Sequence, residues 1–533
     1  MVKNQINIAD IPGISQLIKD YVTKEEKTAS LYGRNLSPES LLLQAREKIT
    51  NYKHREKLVD ELQRQLKNLQ LSEKQTINLK NLSLANSITI TTGHQLNLMT
   101  GPLYFIYKIL QVIKLCDTMN ERQEEFKFIP IFWMATEDHD FEEINHFNFN
   151  REFISWNEKH HDYVGEISTG GLKTVLSDFY EELKYYPFGK ELRKIIEKSY
   201  YTADNLSDAT RILVHELFKE YGLLFIDGNT ESLKKLFIPF IKDDIKEKKS
   251  FRIISKTIEK LKSNHYKIQV NPRKINFFYH KNKERNRIDE TNGKYYILGS
   301  CKNFSEVEIL EEIDKHPENF SPNALMRPVY QEVILPNVAY IGGNAEIAYW
   351  MELKDYFSEQ NIPFPILVPR NSFLLINDNQ EKRMKRLSLN INHLFLPKEQ
   401  TINNLVTQNS SYIFDFAKYE SRLKVIFDDL LKESANTDPS WKNMILAQKK
   451  KQLNGLEKIN KRFYKANRLK HKEIVYNFEK LYEELFPEGS WQERVYNFSF
   501  YYATMGSEFL ARIYNEINEF QNIVTVFNLE KGK

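Results

Sequence analysis

The chain of 533 residues carries only two cysteines, Cys116 and Cys301. Two thiols cannot build the disulfide framework of a small secreted scaffold or a cysteine-rich zinc site, and they fit a reducing cytoplasm. A strong charge of one sign is also missing. Lys and Arg number 76 against 72 Asp and Glu, leaving +4, so there is no overall basic field of the kind that marks a nucleic-acid coat protein. No stretch approaches the roughly 20 consecutive apolar residues that cross a bilayer. Residues 1–21 lack the basic-then-apolar plan of a secretory signal. The expectation is a soluble cytoplasmic protein with no membrane partner. Motifs are missing as well: no GxxxxGK[ST], no GxGxxG after a strand, no HExxH and no GxSxG, which disfavours P-loop, dinucleotide, metalloprotease and hydrolase chemistry.

What is present is ordinary globular material, 41% hydrophobic and 28% charged, long enough for more than one folding unit. Leu42, Ala45, Ile49, Leu58, Leu62, Leu66 and Leu69 recur at helical spacing and predict one long amphipathic helix over 37–71. Short apolar strands follow at 87–91, 131–135, 223–226, 338–341 and 366–368, most of them leading into a polar turn and a helix. Pro130 should begin or edge its strand. Five such units predict an open parallel α/β sheet with helices on both faces. Uneven gaps predict insertions at about 150–212 and 240–325. Within the second, the strings KIQV, INFFY and YYIL around Asn292-Gly293 predict a hairpin-built β subdomain. The core is expected to span 1–396. Residues 400–411, rich in Asn, Gln and Ser, read as a loop. Beyond them a seven-residue ladder (Leu446, Leu453, Asn460, Asn467, Ile474, Leu481) predicts an imperfect coiled coil in a helical domain over 397–533.

In an open α/β sheet the ligand lies beyond the carboxyl ends of the strands, and three polar clusters sit there. Gly93, His94 and Gln95 combine a turn that lets backbone N–H groups approach an anion with a side chain able to stabilise growing charge. Glu137, Asp138, His139 and Asp140, continuing to Asn145 and His146, crowd carboxylates that need a cation or an ammonium group for relief. Asp138, His139 and His146 show no recognised ligand spacing, so no protein-bound metal is expected. Gly342, Gly343 and Glu346, with Tyr349 one turn on, allow close backbone approach to a nucleotide or sugar. Arg327 and Gln331 upstream suit a carboxylate or phosphate clamp. Each cluster also has a plain structural reading: a capped turn, a solvated helix start, a glycine turn beside core aromatics.

Together the strings TGHQLNLMTGPLYFIYKI (92–109), PIFWMATEDHDFEEINH (130–146) and RPVYQEVILPNVAYIGGNAEIAYW (327–350), with the exit Leu485-Phe486-Pro487 and Gln492-Glu493-Arg494, closely resemble the BshC family of cysteine ligases of bacillithiol biosynthesis. The resemblance implies a Rossmann-like core related to class I nucleotidyltransferases, connecting-peptide insertions, and a C-terminal coiled-coil domain that supports a homodimer. It implies ligation of cysteine to the amine of glucosaminyl-malate after carboxylate activation by ATP with Mg²⁺. On that reading His94, Asp138, His139 and Asp140 are catalytic. Gly93, Gln95, Gly342, Gly343 and Glu346 hold the nucleotide; Glu137, Asn145, Arg327, Gln331 and Tyr349 hold the substrates. The second His of the synthetase signature is replaced, and the basic run 382–386 is no convincing counterpart of the mobile loop, so release of AMP or of ADP stays open. Alternative readings are a ligase for another amino-sugar or amino-acid acceptor, and a non-catalytic RNA-binding or scaffold protein using the Lys-rich helices around 449–472.

Overall fold

The β-branched run ahead of His94 forms the central strand of a five-stranded parallel sheet, and its burial is nearly complete from end to end. In the computed structural model, which describes residues 4–158, 163–281, 284–410, 414–434 and 438–530, this sheet comprises β1 (Ser87–His94), β2 (Lys127–Met134), β3 (Leu224–Asp227), β4 (Asn337–Gly342) and β5 (Ile366–Pro369). Their spatial order is β5-β4-β1-β2-β3. The chain leaves β1 toward β2 and β3, then returns to the other side for β4 and β5, which puts the topological switch between β1 and β4. Helix α1 (Tyr104–Arg122) crosses from β1 to β2 and packs Val112, Leu115, Cys116 and Met119 against Ile88, Ile90, Phe128, Val338 and Ile366. One of the two cysteines is thus core material, and the other, Cys301, is exposed.

Pro130 lies inside β2 rather than at its start. It pairs with Ile90 of β1, while the β3 ladder begins only at Ile131↔Leu224. At Pro130 the strand has one neighbour, so no second ladder suffers from the missing N–H. The long helix expected over 37–71 is instead two helices, Pro38–Asn51 and Arg55–Leu66. Between them Tyr52 is extended and donates its hydroxyl to the carbonyl of Ile334 (2.6 Å), and Arg55 reaches the carbonyls of Leu82 and Ser87. Those tertiary anchors override a continuous helical pattern.

The first insertion is largely helical, with Gly189–Tyr200 and Leu206–Phe218 packed together. The second builds a five-stranded antiparallel sheet in which strands Glu284–Thr291 and Lys294–Ile297 meet at Asn292 and Gly293. Both turn residues have positive φ (53° and 74°), as a tight hairpin requires. KIQV (267–270) is not a strand; ERNRIDET (284–291) is.

The chain divides into two compact units, Met1–Leu374 with Trp491–Thr525, and Leu375–Ser490 with Val526–Lys533. The division falls near 374 instead of 396, and residues 491–525 return to the first unit. In the second unit residues 400–411 are not a loop throughout, because Lys398–Gln408 is helical and buries Ile402, Leu405 and Val406. The helices Phe416–Glu433, Pro439–Lys470 and Lys472–Leu485 follow. The ladder residues Leu453, Asn460, Asn467 and Ile474 are half-buried, and Leu481 is buried. No helix among the described residues is long and apolar enough to cross a membrane.

Candidate functional site

The carboxyl ends of all five strands open into one cavity of about 1210 Å³, larger than a single small-molecule site needs. Gly93, His94 and Gln95 line it from β1, Glu137, Asp138 and His139 from β2, Gly228 from β3, Gly343 and Glu346 from β4 and α3 (Asn344–Met351), and Arg370 from β5. The second insertion supplies another wall, including Arg273, Lys274, Arg285 and Arg287.

At the switch point Gly343 donates its N–H to Glu346 Oε2 (2.7 Å), closing the first turn of α3. Glu346 also receives Lys108 Nζ at 2.8 Å and the Tyr340 hydroxyl at 3.0 Å, and Lys108 donates to the carbonyl of Gly93 as well (2.8 Å). Burial by itself raises a carboxyl pKa, yet Lys108 and the Gly343 N–H outweigh it and hold Glu346 at about 2. The ion pair therefore ties the end of β1 to the start of α3. His94 packs against Tyr104 and Phe105, and its buried Nε2 has no hydrogen-bond partner among the described residues. Burial, helped by the Lys108 charge, pushes its pKa down to about 3, so the ring is neutral near pH 7.

Arg327, on helix α2 (Met326–Ile334), lies so close to β1 that a side chain on Gly93 would stand 3.3 Å from its Nη1. Glycine at 93 is what lets the guanidinium come against the strand end. Arg370 is buried, paired in a fork with Glu493 and poised 5.0 Å from the Tyr104 ring centroid. Arg494, next to Glu493, reaches the cavity without an ion-pair partner among the described residues. Thus the segment that returns after the helical unit contributes to the site.

On the β2 side, Asp138 accepts from Gln95 Nε2 (2.7 Å) and from the His139 backbone N–H (2.7 Å). Burial opposes ionisation, but these hydrogen bonds and the nearby Arg285 prevail, leaving the carboxyl well below the usual range. Arg285 comes from the insertion, approaches His139 Nδ1 at 3.2 Å and lies over the Phe278 ring at 3.9 Å. Glu137 is paired with Lys234 at 2.6 Å.

Of the residues singled out from sequence, Gly93, His94, Gln95, Glu137, Asp138, His139, Arg327, Gly343, Glu346 and Tyr349 line this cavity. Four do not. Asp140 is exposed and caps the short helix Phe141–Ile144, Asn145 bonds to the Trp156 carbonyl and to His146, Gly342 lies one residue short of the wall, and Gln331 is fully buried behind Arg327. Lys108, Arg285, Arg370 and Arg494 were missed. Lys108 had a signal, a lone charge within the apolar run YFIYKILQVI, and Arg370 follows a strand end directly. Arg285 and Arg494 had none, since each arrives from a remote segment. Among the described residues no three His, Cys, Asp or Glu side chains are grouped to hold a metal ion.

Comparison with known proteins agrees with this architecture. Residues 1–371 match the model described as "Bacillithiol biosynthesis BshC, N-terminal Rossmann-like domain", and residues 373–529 match that of the BshC C-terminal coiled-coil domain. A protein of Flavobacterium psychrophilum named "Putative cysteine ligase BshC" is 43% identical over 95% of both chains. One of Flavobacterium johnsoniae with the same name is 40% identical over 96% of this chain and 97% of its own. A solved chain titled a "putative arginyl t-RNA synthetase", from Campylobacter jejuni, aligns over 85% of this chain and 100% of its own with 13% identity and a TM-score of 0.22, too low to speak to the fold. With both domain models matched in order along nearly the whole length, the chain belongs to the BshC family of bacillithiol biosynthesis.

Proposed function

We propose that this chain is a cytoplasmic ligase that joins the carboxyl group of cysteine to the amine of glucosaminyl-malate, the last step of bacillithiol synthesis, after activation of the carboxylate by ATP with Mg²⁺. The observation that carries the reading is the cavity at the switch point, which has room for more than one ligand and is lined by cations from both the sheet core and the insertion. Arg327 lines it beside Gly93 at the end of β1, and Arg494 adjoins Glu493, the partner of Arg370 at the end of β5; Arg273, Lys274 and Arg287 line it from the insertion with no ion-pair partner among the described residues. Anionic ligands are what such walls hold.

A carboxylate is a poor acyl donor, and bound ATP would supply the leaving group. The residues that would hold the nucleotide are Gly343 at the start of α3, Arg327 and Arg494 with their N–H donors, and His94, whose Nε2 lacks a partner. Because burial keeps His94 neutral, its role is a hydrogen bond to a ligand oxygen rather than a fixed charge. Asp138, held ionised, suits binding the substrate ammonium better than removing its proton. The insertion cations suit the carboxylates of the acceptor. Apolar side chains left exposed on the C-terminal helices, Leu446, Ile459, Leu469 and Tyr476 at 45% to 71%, support a homodimer through this unit.

The test is direct. Purified chain with cysteine, glucosaminyl-malate, ATP and Mg²⁺ should yield bacillithiol by mass spectrometry, with AMP or ADP released in equal amount. Formation of neither product nor nucleotide cleavage would sink this reading. Product from a different amine with none from glucosaminyl-malate would move it to another acceptor.

A further inference from the structure

Behind the cavity lies a chain of buried polar groups that none of the chemistry above uses. Lys48 Nζ donates to the Glu332 carbonyl (2.7 Å) and approaches Glu332 Oε2 (3.3 Å), with side-chain exposures of 3% and 0%. Glu332 Oε1 accepts from Asn337 Nδ2 (2.7 Å) and from Gln331 Nε2 (3.0 Å). Asn337, in turn, accepts from the hydroxyls of Thr91 (2.9 Å) and Thr89 (3.3 Å) on β1. At the front of the chain, Gln331 Oε1 accepts from Arg327 Nη1 at 3.0 Å. Gln331, Glu332 and Asn337 are all within 1% of complete burial.

A buried ion pair is weak evidence for stability, because removing two charges from water costs about as much as their attraction returns. Here it ends on a hydrogen-bonded amide, and an amide has two different ends. Turned one way, Gln331 offers its oxygen to the Arg327 guanidinium and its NH₂ to the Glu332 carboxylate. Turned the other way, donor would face donor and acceptor would face acceptor. Glu332, itself pinned by Lys48 and Asn337, therefore selects the orientation in which Gln331 receives Arg327. Arg327 has no acid of its own among the described residues; its other bonded contact is the Tyr349 hydroxyl at 3.4 Å, and it lies 5.7 Å from the Tyr340 ring centroid.

We infer that Gln331 is a positioning residue: it holds the Arg327 guanidinium at the cavity wall beside Gly93, and the Lys48–Glu332 pair sets the direction of its amide. This assigns Gln331 an indirect role in place of substrate contact. It also gives the buried pair a task at the site. Since Gln331 accepts with a neutral oxygen, the full charge of Arg327 stays available to a ligand, unlike that of Arg370, which Glu493 neutralises.

The test compares Gln331→Met, Arg327→Met and the double variant in the full-length protein. Methionine keeps the volume and leaves Glu332 bonded to Lys48 and Asn337. A crystal structure of Gln331→Met should show Arg327 displaced or spread over several rotamers, with the Lys48–Glu332–Asn337 bonds unchanged and the thermal midpoint lowered by only a few degrees. Affinity for inorganic tripolyphosphate, measured by calorimetry, should fall about tenfold in each single variant, with the double variant no worse than Arg327→Met, because residues that act through one another are not additive. Arg327 unmoved in the Gln331→Met structure would overturn the inference, as would losses that multiply in the double variant. The crystallographic arm requires no substrate, so it decides the matter even if the proposed ligase reaction fails.

Discussion

The two compact units depart from ordinary surface and core statistics in opposite directions. In the first, charged groups are buried: Lys48, Lys108, Glu332 and Glu493 have side chains no more than 3% exposed. In the second, apolar groups are exposed: helix Phe416–Glu433 has no buried residue at all, and the 32-residue helix Pro439–Lys470 buries only Ile445. A buried charge and an exposed apolar face are the informative departures, because both are costly without a use. The first unit uses them to aim side chains into a cavity. The second leaves apolar side chains such as Val425, Ile426, Ile459 and Leu469 more than half exposed.

The comparison is tested most severely at Lys48. Lys48→Met strips the fully buried Glu332 of its partner, and breaking a buried pair in this way costs roughly 3–5 kcal/mol; chemical denaturation should register a loss of about 4 kcal/mol. A loss below about 1 kcal/mol would mean that the pair is not buried as described. Lys108→Met should cost about 3 kcal/mol, near the lower end of the same range because Glu346 is 26% exposed, and should reduce bacillithiol formation at least a hundredfold.

Acid provides the next contrast. His94 falls from 6.5 to about 3 and Glu346 from 4.5 to about 2 on folding, so in those windows the unfolded chain binds more protons than the folded one. Stability attributable to His94 is complete above pH 6.5 and is lost as pH falls toward 3; that from Glu346 is lost between 4.5 and about 2. His94→Gln should flatten the fall in thermal midpoint between pH 6.5 and 4.5, with Glu346 still ionised. An unchanged slope would show that His94 is not held neutral. The smallest effect on stability belongs to the second unit. Leu469→Glu, at a site 71% exposed, should shift stability by no more than about 0.5 kcal/mol, yet it should lower the mass measured by light scattering if that face joins two copies. Mass unchanged at that of two chains would move the contact elsewhere.

These contrasts also explain what could be read from sequence. The five strands were legible because each is a short run of β-branched or apolar residues cut off by a polar cluster, a Gly turn or Pro, and the carboxyl-end rule then pointed to ten residues that share one cavity. The break at Tyr52 was not legible, since its anchor, Ile334, is 282 positions away. Helix Lys398–Gln408 was hidden by its Asn and Gln content, although Ile402, Leu405 and Val406 carry the helical spacing. Asp140 and Asn145 shared the acidic cluster's composition but not its direction, because the helix cap turns the chain away after His139. The insertion cations had no local mark at all. Arg285 and Arg287 reach the cavity from strand Glu284–Thr291, and Arg273 and Lys274 from the segment ahead of Phe277–Lys281.

The return of residues 491–525 to the first unit has a consequence for how the protein is made. Synthesis runs from the N-terminus, and Arg370 emerges 123 residues before Glu493, the acid that closes its ion pair. Throughout that interval residues 375–490 of the helical unit are translated while the wall of the cavity at β5 stands incomplete, so the ribosome finishes the site nearly last. A nascent chain stalled after residue 490 would hold a folded sheet but an unclosed Arg370, and its cavity could not yet retain a ligand that depends on Arg494.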